Sequence, residues 1–143
     1  MIGALFEDTV ATLRLVLGGV TTRYPRIRVL VPHLGGTLPF MMGRIGRATA
    51  AERERMGQPP VYFEGSLREN LRRCWYDTVN LEPAALRCAC DVLGYERLVL
   101  GTDFPFLVDE RFRECVRYVE GAGLPAEQVR AILGDTAQAL LGL

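Results

Sequence analysis

The apolar positions of residues 3–22 fall at Leu5, Phe6, Val10, Leu13, Val16, Leu17 and Val20. Spacings of three and four predict one amphipathic helix, ended by Tyr24-Pro25. Residues 28–33 form a short β-branched run bounded by Pro and Gly, which predicts a buried strand. Leu34-Gly35-Gly36-Thr37 reads as a turn, and Pro39 suits the first turn of a helix running through Phe40, Met41 and Ile45 to about Met56. Gln58-Pro59-Pro60 interrupts the pattern. Beyond it the chain predicts a short helix over 66–73 and a strand over 74–78. A helix then opens at Glu82-Pro83 and stops at Gly94, and a third strand covers 97–103. Helices over 111–120, 125–133 and 135–141 complete the chain, the last with Asp135 as its N-cap.

The order is α-β-α-β-α-β-α-α. Strands separated by helices should be parallel and covered by those helices, so the expected class is α/β, a single domain over residues 1–143. Apolar residues make up 49% and charged residues 24%, the balance of a globular chain and not of a disordered one. Seventeen cations balance seventeen acids, which argues against a general nucleic-acid binder. All seventeen cations are Arg. Guanidinium forks match phosphate and carboxylate, but the codon bias of a GC-rich genome accounts for the same usage.

Glu7 and Asp8 stand early and no basic run precedes them, so no secretory leader is expected. No apolar run approaches the ~20 residues of a membrane helix, so no membrane association is expected. Cys88 and Cys90 form a C-x-C pair in a helical stretch, where they point to different sides. With Cys74 and Cys115, they read as reduced thiols of a cytoplasmic protein, not as zinc ligands.

Ligands of α/β folds collect at the carboxyl ends of the strands. His33, the only histidine, closes the first strand, and Asp103 closes the third. The imidazole suits proton transfer or a transition metal, or else it bonds its own turn. Asp103 is a hard oxygen donor or an Asx-turn residue. Asp77, ending the middle strand, is a weaker candidate that reads first as a turn residue. Gly35-Gly36-Thr37 carries no nucleotide-binding pattern and reads as a tight turn. Arg44 is able to grip a carboxylate bidentately, although an exposed arginine is the ordinary case. Phe40, Met41, Phe104 and Phe106 either line an apolar pocket or pack.

Four segments, in order, resemble the amidohydrolase-related family that includes aminocarboxymuconate semialdehyde decarboxylase and the resorcylate-type decarboxylases. They are Arg28-Val29-Leu30-Val31-Pro32-His33-Leu34-Gly35-Gly36-Thr37-Leu38-Pro39-Phe40-Met41-Met42-Gly43-Arg44-Ile45, then Trp75-Tyr76-Asp77-Thr78, then Arg97-Leu98-Val99-Leu100-Gly101-Thr102-Asp103-Phe104-Pro105-Phe106, and last Leu133-Gly134-Asp135-Thr136-Ala137-Gln138-Ala139-Leu140-Leu141-Gly142-Leu143. The resemblance implies a partial (β/α)8 TIM barrel: three parallel strands, equivalent to barrel strands 6–8, with covering helices. It implies a divalent metal, usually zinc, at the carboxyl-end mouth, with Asp103 as a metal ligand and His33 as the proton-handling residue. Arg44, near a subunit interface, would hold a substrate carboxylate, and Phe104 would also contact substrate.

The family's other metal ligands, on strands one and five, have no counterpart here, since His33 is the sole histidine. A zinc site needs about three protein ligands, and a whole barrel takes roughly 250 residues. The expectation is therefore the C-terminal half of a hydrolase or non-oxidative decarboxylase for a small carboxylated molecule, aromatic or not. The isolated chain would be inactive, truncated, split or decayed, and would associate as a homo-oligomer or with a complementing N-terminal half. The alternative is a non-catalytic half-barrel interaction module.

Overall fold

A computed structural model of the chain describes residues 2–46, 50–58 and 62–143. Its helices are α1 (Ile2–Leu17), α2 (Val20–Arg23), α3 (Leu38–Ile45), α4 (Ala50–Arg55), α5 (Leu67–Leu71), α6 (Pro83–Leu93), α7 (Asp109–Glu120), α8 (Ala126–Arg130) and α9 (Thr136–Leu141). The strands are β1 (Leu30–Val31), β2 (Trp75–Asp77) and β3 (Leu98–Val99). They lie in the order β1-β2-β3, all parallel. The three-stranded parallel sheet expected from the apolar runs is present, although each ladder is shorter than its run. The extra residues still pair in part: the Trp75 N–H donates to the Val29 carbonyl at 2.8 Å, ahead of β1.

Side chains alternate across a sheet, and here the two faces differ. Val31 and Tyr76, partners in the β1–β2 register, are buried against the helices, together with Leu34, Leu38, Leu71, Leu86, Leu98 and Ile132. Leu30 and Trp75, partners one place earlier, stand on the opposite face, where Leu30 is 51% exposed. One face of the sheet is thus helix-covered, and the other is exposed at Leu30 on β1 but closed at Val99 on β3, which is 4% exposed. β1 and β3 each have a single strand neighbour. That is the geometry of a barrel segment.

Several local expectations need correction. The helix expected over 3–22 breaks at Gly18-Gly19, because Gly19 takes φ +70° and starts α2 in a new direction. The helix expected from Pro39 to Met56 is α3 and α4, with residues 47–49 outside the described set. Pro59-Pro60 also lies outside it, whereas Gln58 is non-helical as expected. Asp135 caps nothing. Residues Ala131–Asp135 form a π turn that joins α8 to α9, and the Asp135 carboxylate instead pairs with Arg130 Nε at 3.0 Å. Where cap chemistry is strong the boundaries match. Glu82 caps α6, with Pro83 first and Gly94 as the C-cap, and Ser66 and Glu69 form a reciprocal capping box on α5.

Candidate active site

The site begins with a turn that only glycine permits. At Gly36, φ is +64°, and a Cβ there would lie 2.1 Å from the Leu5 carbonyl oxygen and 2.5 Å from Thr9 Oγ1. The missing side chain lets the His33–Gly36 turn seat directly on α1. Thr9 secures the contact: its hydroxyl donates to the Leu5 carbonyl at 2.7 Å and accepts the Thr37 N–H at 2.9 Å.

This docking brings Asp8 to His33. The imidazole Nδ1–H donates to Asp8 Oδ2 at 2.8 Å, and both side chains are largely buried. An acidic partner on Nδ1 fixes that tautomer and leaves Nε2 as the proton-exchanging atom. Nε2 has no hydrogen bond among the described residues. The His33 backbone N–H donates to Asp77 Oδ1 at 2.8 Å, and the same oxygen accepts the Val79 N–H at 3.0 Å. Asp77 is therefore the turn residue that the sequence suggested, and it also ties the end of β1 to the end of β2. Burial pushes its carboxyl above the usual carboxylate range, opposed by these two hydrogen bonds, while the neighbouring Asp103 charge adds to the rise.

Asp103 follows β3 with φ +53°. Gly101 allows the chain to close on Asp77, since a Cβ at Gly101 would lie 2.7 Å from Asp77 Cβ. The Asp103 carboxylate is partly exposed and accepts no hydrogen bond among the described residues. The structure thus gathers His33, Asp77 and Asp103 at the carboxyl ends of adjacent strands. Arg44 is not with them. It is exposed on α3 and lines a cavity of about 880 Å³ with Leu13, Ile45 and Met56. Phe104 and Phe106 follow Asp103 but are 70% and 81% exposed, and Phe40 is exposed as well, so these rings neither pack in the core nor enclose a pocket.

The donors at this end do not by themselves suit a metal ion. Among the described residues no three His, Cys, Asp or Glu side chains come together to hold one. His33 is committed to Asp8 through Nδ1, and both hydrogen bonds to Asp77 fall on Oδ1, so among the described residues this end offers the Asp103 carboxylate and Asp77 Oδ2 as unengaged oxygen donors. The residues present do not make a metal centre by themselves. Cys90 is buried and Cys88 partly exposed on α6, both as free thiols, and burial pushes Cys90 up to about 12.

A family model, described as Amidohydrolase, matches residues 3–143. The chain belongs to the amidohydrolase family. The 2-amino-3-carboxymuconate-6-semialdehyde decarboxylase of Dictyostelium discoideum is 30% identical over 110 residues, 77% of this chain and 30% of that protein. The solved structure of Metarhizium anisopliae IDCase in its apo form superposes with a TM-score of 0.79 at 28% identity, covering 96% of this chain and 40% of that one. A dihydroxybenzoic acid decarboxylase from Polaromonas sp., solved with bound manganese and the inhibitor 2-nitroresorcinol, matches in fold with a TM-score of 0.75 at 22% identity. It covers 94% of this chain and 40% of that one. This member of the amidohydrolase family therefore spans about 30–40% of the length of such relatives, and its three parallel strands are part of their barrel.

Sequence reasoning reached His33, Asp77 and Asp103 but not Asp8. The readable signal was polar residues on the inner face of α1: Thr9 and Thr12 are buried there. A helix that turns hydroxyls inward has a polar partner to meet.

Proposed function

We propose that this chain is the C-terminal portion of a non-oxidative decarboxylase acting on a small, carboxylated, aromatic-type substrate. One observation carries the reading: His33, its ring oriented by Asp8, stands at the same strand ends as Asp103. The relatives' names favour decarboxylation over hydrolysis. His33 then delivers a proton from Nε2 to the substrate carbon as its bond to the carboxylate breaks and carbon dioxide leaves. Asp8 holds the ring for that transfer. Asp103 is this chain's ligand to a divalent ion, zinc or another, whose remaining ligands lie on strands outside the chain. Phe104 contacts the substrate ring. Arg44, exposed and remote from His33, meets a substrate carboxylate across a subunit interface. The open strand edges and the exposed Leu30 beside β1 support a complementing N-terminal half, or a second copy, as partner, and the chain alone as inactive. We place the assembly in the cytoplasm; no helix among the described residues is long and apolar enough to cross a membrane.

The test is reconstitution with the N-terminal part of a relative's barrel, followed by metal content and turnover on carboxylated phenols. His33→Ala should retain metal and lose turnover by about 100-fold or more. Asp103→Ala should lose the metal. Full turnover in both variants would overturn the assignment. A stable oligomer that takes up no metal with any complement would favour a non-catalytic half-barrel module.

A further inference from the structure

The opposite ends of the strands carry a second constellation. Parallel strands all enter from one end, so the residues before them become neighbours. Carrying the β1–β2 register back two places sets Arg28 beside Arg73, and the β2–β3 register sets Trp75 beside Arg97. With Arg26, these arginines wall a cavity of about 520 Å³. Its wall contains no acidic residue, and among the described residues none of the four arginines has a carboxylate within ion-pair distance. Like charges facing one another across a sheet oppose pairing unless something neutralises them.

Two of the guanidinium groups are held in place. Arg97 lies over the Trp75 ring, 4.9 Å from its centroid, and Arg28 donates to the Leu140 carbonyl. Thr21 also walls the cavity, and its hydroxyl is buried with no hydrogen-bond partner among the described residues. An orphaned donor beside uncompensated cations fits an anion of several oxygens. A carboxylate supplies one charge and two oxygens. A phosphate supplies close to two charges and three oxygens, which matches planar forks converging from separate strands.

We propose that this cavity is a phosphate-binding site, for the free ion or for a phosphate carried on a small organic molecule. It lies at the amino ends of the strands and is independent of the proposed decarboxylase site. The test is calorimetric titration of the full chain with inorganic phosphate, then ribose 5-phosphate, at constant ionic strength set with sodium chloride. Saturable one-to-one binding is expected. Arg73→Gln and Arg97→Gln should each weaken it about tenfold. His33→Ala and Arg113→Gln, the latter on the surface of α7, should leave it unchanged. Tighter binding of the sugar phosphate assigns the site to organic phosphates, and tighter binding of the inorganic ion assigns it to free phosphate. Absence of saturation, equal weakening by Arg113→Gln, or equally tight binding of acetate would overturn the proposal.

Discussion

At the carboxyl ends of β1, β2 and β3 the structure collects an imidazole and carboxylates, each given a partner or a defined turn. At the amino ends of the same strands it collects guanidinium groups without a counter-charge among the described residues. The backbone is shared and the register continuous, so the contrast does not come from the sheet. It comes from what each end packs against. The carboxyl end is braced by α1 through a glycine turn, which supplies Asp8. The amino end is met by the loop after α2 and by the end of α9, which supply more arginine and a carbonyl. A parallel sheet therefore separates chemistry along its axis: the residues leaving the strands bring an imidazole and carboxylates together, and those entering them gather positive charge.

The largest expected effect removes what both ends share. Tyr76 lies in the middle of β2 and is fully buried, with its ring under Gly35 and its hydroxyl donating to the Leu71 carbonyl at 2.9 Å. Tyr76→Ala should cost about 3–5 kcal/mol in urea unfolding and degrade both ends together. Loss at one end alone would show that the two are not mechanically joined through β2.

Gly36→Ala sharpens the contrast, because it touches the carboxyl end only. Its methyl collides with Leu5 and Thr9 at a positive φ, an expected loss of about 2–4 kcal/mol. The single imidazole makes the local readout clean. Its nitrogen resonances should lose the Nδ1–H signature of the Asp8 bond, while phosphate affinity stays within about twofold.

The smallest effect concerns pH. Burial raises the Asp77 carboxyl, so folding favours its protonated form. The stability it contributes is complete below the ordinary carboxylate value near 4 and is lost as pH rises through the raised value. Asp77→Asn keeps the Oδ1 acceptor and carries no charge. Its urea midpoint should therefore fall less than the wild type's between pH 4 and neutrality. A steeper fall would mean that the Asp77 charge is stabilised in the fold.

Much of this was legible in the sequence where the controlling chemistry is local. Glu82-Pro83 and Gly94 delimit α6 to the residue, because a cap, a fixed φ and a helix stop act within one turn. The apolar runs located all three strands and, at their carboxyl ends, His33, Asp77 and Asp103; the family resemblance then implied roles for His33 and Asp103. The break at Gly18-Gly19 was not legible, because the apolar spacing continues through it to Val20. Asp135 read as a cap because its type suits one, whereas a widened turn carries the helix past it. Asp8 and the arginine row were hidden for a deeper reason. Each depends on which residues of separate elements become neighbours, and that is fixed by register and docking, not by spacing along the chain.

The Asp8–His33 bond spans only 25 positions, between α1 and the turn that follows β1. A contact of that short loop length can close while the later strands are still unpaired. The imidazole would then report on an early stage of folding, and the acid–base pair would be assembled before the rest of the barrel has formed around it.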